Sequence, residues 1–300
     1  MPRAFVHQIL PHYVAPGDLD PGFLVLDNRG AERPDWYEYW PIRRFLLQER
    51  LDDAAYYGFL SPKFKLKTNL DAAAVHALAD RAPESVDVIL FSPSIHNTAH
   101  HWNVFDHGEA EHPGLKAVTA ELFARIGRDC DLDELVCDSR NTVNSNYFLA
   151  KPRFWRAWLD VNERLFAIAE DPADLLGEKL RAPVPYRGRR DVQMKIFVLE
   201  RIATWLLCRE PGFVALARDP FAAGARVYKL PVALACDALK IAYATQGRPQ
   251  YRDAFRMVSG LRRFLNLEIR LGDLAGSGRV RPFLRTLSGY WSGAEEERSP

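Results

Sequence analysis

Five of the chain's eight histidines fall within HNTAHHWNVFDHGEAEHPG, residues 96–114, at positions 96, 100, 101, 107 and 112, beside Asp106, Glu109 and Glu111. Imidazoles and carboxylates ligate divalent metal ions, and suitably tuned they carry protons near neutral pH. Two chemistries therefore compete for this stretch. A metal-dependent hydrolase would draw its ligands from the histidines of 96–112. His96 and His100 stand four apart, but the HExxH arrangement that sets two imidazoles on one helix face is absent. The glycine and proline of the segment also speak against a helix that would align them. A proton-transfer site would use a fixed carboxylate instead. Trp102, Val104 and Phe105 anchor the segment to a core and would hold Asn103, Asp106 and Glu109 near a strand end. Glu109 is the first candidate for a general base, with Asp106 and Glu200 behind it. A well-packed, inert loop is the plain alternative.

Other polar clusters follow apolar runs: Asp27-Asn28-Arg29 after FLVL, Ser61-Pro62-Lys63-Phe64-Lys65 after YYGFL, and Ser92-Pro93-Ser94 after DVILF. A fourth, DSRNTVNSN, supplies Asp138, Arg140, Asn141, Asn144 and Asn146. Each alone reads as a turn. Together they offer cations for a phosphate and amides and carboxylates for hydroxyl groups, the mixture that a polyhydroxylated, phosphorylated ligand requires. Lys63, Lys65 and Lys67 alternate at strand spacing, which also suits a solvated face. Neither GxxxxGK[ST] nor GxGxxG occurs. KIFVLERIATWLL, residues 195–207, is apolar around its circumference except for Glu200 and Arg201. Buried charges need partners, and neighbours on a helix point about 100° apart, so each must look into the core or a pocket. A structural ion pair is the competing reading.

These groups need a scaffold. Strand-like runs lie at 3–10, 23–28, 54–61 and 87–94, with 135–139 and 145–152 as further candidates. Helices are expected over 38–51, 71–82 (N-capped by Asp71) and 113–127 (Pro113 in its first turn). From Pro152 the pattern turns helical, over 152–171, 190–210, 231–247 and 249–272. The expectation is an α/β fold with a Rossmann-like, mostly parallel sheet and a helical C-terminal half. Residues 1–290 form one unit (1–151 α/β, 152–290 mainly helical) and 291–300 a disordered tail. In such sheets ligands bind beyond the C-terminal strand ends, where the polar clusters would converge.

With 48% hydrophobic residues the chain can bury a large core, and a formal charge of +1 gives no global attraction to nucleic acid. Basic clusters at Arg187–Arg190, LRRFLNLEIR and RVRPFLR read as solvated faces, with contact to a lipid-linked ligand as the alternative. Cys130, Cys137, Cys208 and Cys236 form no CxxC pair, which suits thiols in a reducing cytoplasm. No signal peptide and no spanning segment is read, so a soluble, cytoplasmic protein is expected.

Four segments, RPDWYEYWPIRRFLL, YYGFLSPKFKLKT, SNYFLAKPRFWRAWL and FVLERIATWLL, carry a similarity. In order and spacing the chain resembles glycosyltransferases of bacterial capsule and lipopolysaccharide gene clusters. The resemblance implies a GT-A-type fold, a nucleotide-sugar donor, and a polysaccharide or lipid-linked glycan acceptor met in the cytoplasm or at the inner membrane surface. It implies that Lys63 and Lys65 steady the departing phosphates and that Trp36, Tyr39 and Trp40 shape the donor pocket. Asp138, Asn144 and Asn146 would bind hydroxyls, with Asn28, Asn103 and Arg201 completing the binding set. Many such enzymes hold a divalent cation, Mg or Mn, on Asp-x-Asp at a strand end. DVILFSPS lacks that motif, and Asp129-Cys130-Asp131 and Asp131-Leu132-Asp133 precede a strand instead. No metal ligand is therefore assigned, and the cation stays open. A sugar- or nucleotide-binding protein without turnover is a further alternative.

Overall fold

Short runs of β-branched and aromatic residues pair into one sheet: β1 (Ala4–Pro11), β2 (Leu24–Asn28), β3 (Tyr56–Leu60), β4 (Val88–Leu90), β5 (Phe148–Ala150) and β6 (Ala215–Ala217). The structure, a computed structural model, describes residues 3–92, 95–185, 192–219, 221 and 230–261. Around the sheet lie α1 (Tyr39–Gln48), α2 (Phe64–Thr68), α3 (Ala72–Arg81), α4 (Ile95–Thr98), α5 (Val104–Glu111) and α6 (Leu115–Arg125). They are followed by α7 (Pro152–Glu170), α8 (Leu175–Arg181), α9 (Met194–Arg209) and α10 (Leu230–Gln246). A last helical stretch spans 249–261.

The strand order is β2-β1-β3-β5-β4-β6. β1 runs parallel to β2 and β3, and β4 parallel to β6, while β5 is antiparallel to both β3 and β4. Five strands thus share one direction and β5 opposes them. The fold is α/β as expected, with a mixed sheet. β3, β4 and β5 are buried at every position, which is why they read as continuous apolar runs and not as alternations. One face carries the larger core, including Phe59, Trp155, Trp158, Phe197 and Trp205. The other packs Tyr56, Phe64, Val75, Phe91 and Tyr147 under α3. Gly58 sits opposite Leu149 across β3 and β5, where a Cβ would come within 2.2 Å of Leu149 Cδ2.

Local chemistry explains most helix positions. Asp71 caps α3 by accepting the Ala74 N–H at 2.9 Å, and Pro152 opens α7, whose Trp155 indole donates to Tyr57 O at 3.0 Å. α9 is buried nearly all round, as its apolar circumference requires.

Five expectations need correction. Residues 135–139 form no strand, because Asp138 folds them into a turn by accepting the Arg140 N–H at 2.8 Å. The lysine tract is the one-turn helix α2, not a strand. The histidine segment is largely helical, through α4 and α5, since Asn103 caps α5 strongly enough to carry it over Gly108. Pro113 precedes α6, whose N-cap is Gly114 at φ 93°. The stretch 175–181, read as loop, is α8, capped by the Asp174 carboxylate. The basic clusters at 187–190 and beyond 261, and the tail 291–300, lie outside the described residues.

Candidate functional site

The C-terminal ends of β3 and β4 adjoin the start of the reversed β5, so the segments after Leu60, after Leu90 and before Phe148 meet at one sheet edge. Phe91 N–H donates to Tyr147 O at 2.9 Å. Ser92 Oγ donates to Thr142 O at 2.6 Å and accepts the Asn144 N–H at 3.0 Å. Lys67 Nζ donates to Ser145 Oγ at 3.0 Å. The lysine tract, the stretch after Phe91 and the asparagine-rich segment, distant in sequence, are thereby gathered on one rim.

That rim borders a cleft of about 770 Å³ in which Lys63, Lys67, His107, Asn144, Glu200 and Arg201 meet. Beside it lies a smaller chamber of about 150 Å³, bounded by Trp36, Glu38, Tyr39, Asn146, Trp158 and Glu200. Lys67, Ser145 and Glu200 line both. The two compartments therefore adjoin, with a carboxylate and an ammonium at their junction.

Each wall is fixed by packing. The Arg201 guanidinium is buried against α5, donating through Nε to Val104 O at 2.9 Å. A Cβ on Gly108 would come within 2.5 Å of that Nε, so the glycine that seemed to forbid a helix is what lets α5 lie on the guanidinium. Burial lowers the Arg201 pKa, opposed by Glu200 and Glu111. The His112 ring stacks on Phe197 with centroids 3.6 Å apart. Burial, helped by Arg201, pushes its pKa down to about 4, so this imidazole is neutral at physiological pH. Trp36 donates to Glu170 Oε1 at 2.9 Å and Tyr39 to Glu163 Oε1 at 2.7 Å, fixing both rings.

Glu38 opens α1 without capping it, and its carboxylate accepts no hydrogen bond among the described residues. Burial pushes its pKa up to about 7; Glu200 adds to the shift while Lys67 and Lys63 oppose it. Ser145 and Asn146 are both left-handed, at φ 61° and 52°. Non-glycine residues held there cost on the order of 1 kcal/mol each. Asn146 Oδ1 and Trp158 Nε1 are buried without hydrogen-bond partners.

The structure brings Trp36, Tyr39, Lys63, Asn144, Asn146, Glu200 and Arg201 to this cleft. Others sit elsewhere, for legible reasons. Both oxygens of Glu109 are taken by the N–H groups of Gly114 and Lys116, each at 2.8 Å, so this carboxylate caps α6. Asp106 pairs with Lys116 Nζ at 2.8 Å. Asn103 accepts the Phe105 and Asp106 N–H groups and donates to Leu132 O and Leu135 O. Asp138 is fully buried against Arg140. Lys65 lies on the opposite face of α2 from Lys63 and Lys67, near Asp20 and Asp71. Trp40 donates to Glu32 Oε2 at 3.0 Å, and Asn28 ends β2 at the sheet edge. None of these is among the described residues lining either compartment.

Glu38 and Lys67 were missing from the expected set. The signal for Glu38 was present, a carboxylate inside the aromatic run DWYEYW. Among the described residues no three His, Cys, Asp or Glu side chains are arranged to hold a metal ion. Asp131 spends an oxygen on the Asp133 N–H at 2.8 Å. Among the described residues no helix is long and apolar enough to cross a membrane. No protein-family model matches the chain, and neither a curated protein nor a solved structure matches it.

Proposed function

We propose that this chain is a glycosyltransferase, moving a sugar from a nucleotide-sugar donor to a polysaccharide or glycolipid acceptor in the cytoplasm or at the inner membrane surface. The observation that carries the reading is the junction of the two compartments, where Glu200 and Lys67 face both. In this reading the larger cleft takes the diphosphate, with Lys63 and Lys67 at its rim and Arg201 in its wall stabilising charge as it develops on the leaving group. The smaller, aromatic-walled chamber takes a sugar ring. Glu200 lies between them, where a carboxylate accepts the proton of the attacking acceptor hydroxyl as its oxygen bonds to the anomeric carbon and the nucleoside diphosphate departs. The five co-directed strands, with ligand groups beyond their C-terminal ends, suit the GT-A-type arrangement that the sequence resemblance implies.

No divalent cation enters these steps. If Mg or Mn takes part, it adds to a charge role for which the lysines and Arg201 are already placed.

A thermal-shift screen against nucleoside diphosphates and their sugars, with and without Mg and Mn, tests the reading. At least one nucleoside diphosphate should raise Tm by ligand linkage, and its sugar should be turned over with an acceptor or hydrolysed. Glu200→Gln should keep that binding and lose roughly 100-fold or more in kcat. A screen in which no nucleotide shifts Tm would remove the proposal, and binding without turnover would leave only a binding protein.

A further inference from the structure

We propose that Cys137 and Cys208 are a redox modification site behind the wall of the cleft, closing to a reversible disulfide when a hydroperoxide oxidises the chain. The inference is independent of what the cleft binds.

The two sulfurs lie 3.6 Å apart although 71 positions separate the residues. A disulfide needs about 2.05 Å, so the pair closes with a relative shift of about 1.5 Å. The backbone has room for that shift on one side. Cys208 sits in the last turn of the buried helix α9, whereas Cys137 lies in irregular backbone between turns at 132–134 and 139–141. Cys137 is buried and Cys208 partly exposed, so a small oxidant meets the pair from the Cys208 side. The other two thiols face different groups. Cys130 accepts the Trp205 indole N–H at 3.3 Å, and Cys236 lies 3.9 Å from His100 Nδ1.

The surroundings favour charge on Cys137. Asn103 takes the Phe105 and Asp106 N–H groups at the start of α5, and the Val104 N–H turns instead to the Cys137 sulfur. Free N–H donors at a helix N-terminus stabilise a thiolate. Burial opposes ionisation of Cys137, but the Cys208 thiol, the Val104 N–H and the Lys240 ammonium outweigh it and lower its pKa. Cys208 donates to Cys137 and to Val136 O at 3.5 Å, and the bond to Cys137 raises its own pKa.

Oxidation by one peroxide then balances. The Cys137 thiolate accepts the Cys208 proton as Cys208 Sγ attacks a peroxide oxygen, leaving a sulfenic acid on Cys208 and a hydroxide ion. The hydroxide takes the proton back from Cys137 and becomes water. The Cys137 thiolate attacks the Cys208 sulfur, the S–S bond forms, and the S–O bond breaks to release a second hydroxide. Two electrons pass from the sulfurs to the peroxide. Val104 carries the change to the cleft, because its O accepts Arg201 Nε at 2.9 Å and both residues line the wall. A disulfide sulfur bears no charge and is drawn toward α9, so the Val104 N–H loses its acceptor.

Brief exposure of the full, reduced chain to one equivalent of hydrogen peroxide, then alkylation in denaturant and peptide mapping by mass, tests this. The Cys137 and Cys208 peptides should be joined with the loss of two hydrogens, about ten-fold or more in excess of any other pairing. Cys130 and Cys236 should be recovered alkylated, and dithiothreitol should restore both joined thiols. Cys137→Ser removes the proton acceptor, so Cys208 should oxidise about ten-fold or more slowly in that variant. In the cross-linked chain the Val104 amide should exchange about ten-fold faster than in the reduced chain. Mapping the unmodified chain needs no variant to fold. Native oxidation that leaves both thiols free, joins other pairs equally or drives Cys208 irreversibly to the sulfinate overturns the proposal, as does undiminished oxidation of Cys208 in Cys137→Ser. Unchanged Val104 exchange in the cross-linked chain overturns the connection to the cleft.

Discussion

Glu38 and Glu200 meet in one chamber although more than 160 positions separate them, and Glu38 holds its charge at a cost. For Glu38 the consequence is a pH-dependent stability. Its folded-state pKa of about 7 lies above the ordinary 4.5, so between those values the native chain binds a proton that the unfolded chain has released. The group's contribution is therefore most favourable below about pH 4.5 and is lost as pH rises through 7. Glu38→Gln mimics the protonated form. It should raise unfolding free energy by about 1–3 kcal/mol near pH 8 and change it little near pH 4.5. Denaturant melts at both pH values check this, and an equal effect at both would show that Glu38 does not titrate as described. At this scale the sequence revealed much of the site. A charged doublet inside an apolar helix had to face something, and Arg201 indeed lies against α5 while Glu200 faces the cleft. Glu109 misled because type and neighbourhood do not reveal where a carboxylate's oxygens go, and here both go to the backbone of the next helix.

That capping role belongs to α5 and α6 as a pair. Glu109, near the end of α5, reaches the first N–H groups of α6, which begins at a left-handed glycine and has no side-chain cap of its own. Removing the carboxylate leaves those N–H groups unpaired at the positive end of the helix dipole. Glu109→Ala should cost about 1–2 kcal/mol of stability, with kcat within about two-fold of the parent once the variant is folded. A folded Glu109→Ala chain with turnover lost would return this residue to the chemistry. Element prediction succeeded where period and punctuation agreed: β1 to β3, α1, α3, α7 and α9 follow from apolar runs, Asp71 and Pro152. It failed where the window was too short to show a period. Three lysines at alternate positions fit a strand face, yet in one helical turn Lys63 and Lys67 share a face and Lys65 opposes them. The three residues of β6 carry no alternation to detect. The reversal of β5 has no local signature either, because direction is set by which strands flank it.

Across the whole molecule, stability is unevenly shared between the sheet layers and the C-terminal helices. The main cores bury aromatic residues on both faces of the sheet, whereas among the described residues α10 and the stretch 249–261 rest on a small cluster of buried Trp102, Cys236 and Phe255 with partly buried neighbours. Polar pins complete this docking. Asp237 accepts the Ser139 N–H at 2.8 Å and its hydroxyl at 2.6 Å, Lys240 donates to His101 O at 3.2 Å, and Arg252 reaches Glu134 at 2.7 Å. A layer held by few apolar contacts and a handful of charged hydrogen bonds opens at lower free energy than a sheet with both faces covered. His101 belongs both to this layer's footing and to the wall of the cleft, so opening it loosens the site without unfolding the sheet. Native-state hydrogen exchange should therefore show α10 and 249–261 exchanging through a sub-global opening, while β1, β3 and β5 exchange only on global unfolding. Asp237→Ala removes two hydrogen bonds to a charged acceptor and should lower the opening free energy by about 2–3 kcal/mol, leaving the strand amides unchanged. Equal protection across helices and strands, or an Asp237→Ala effect spread evenly over both, would mean that the helical layer and the sheet unfold as one cooperative unit.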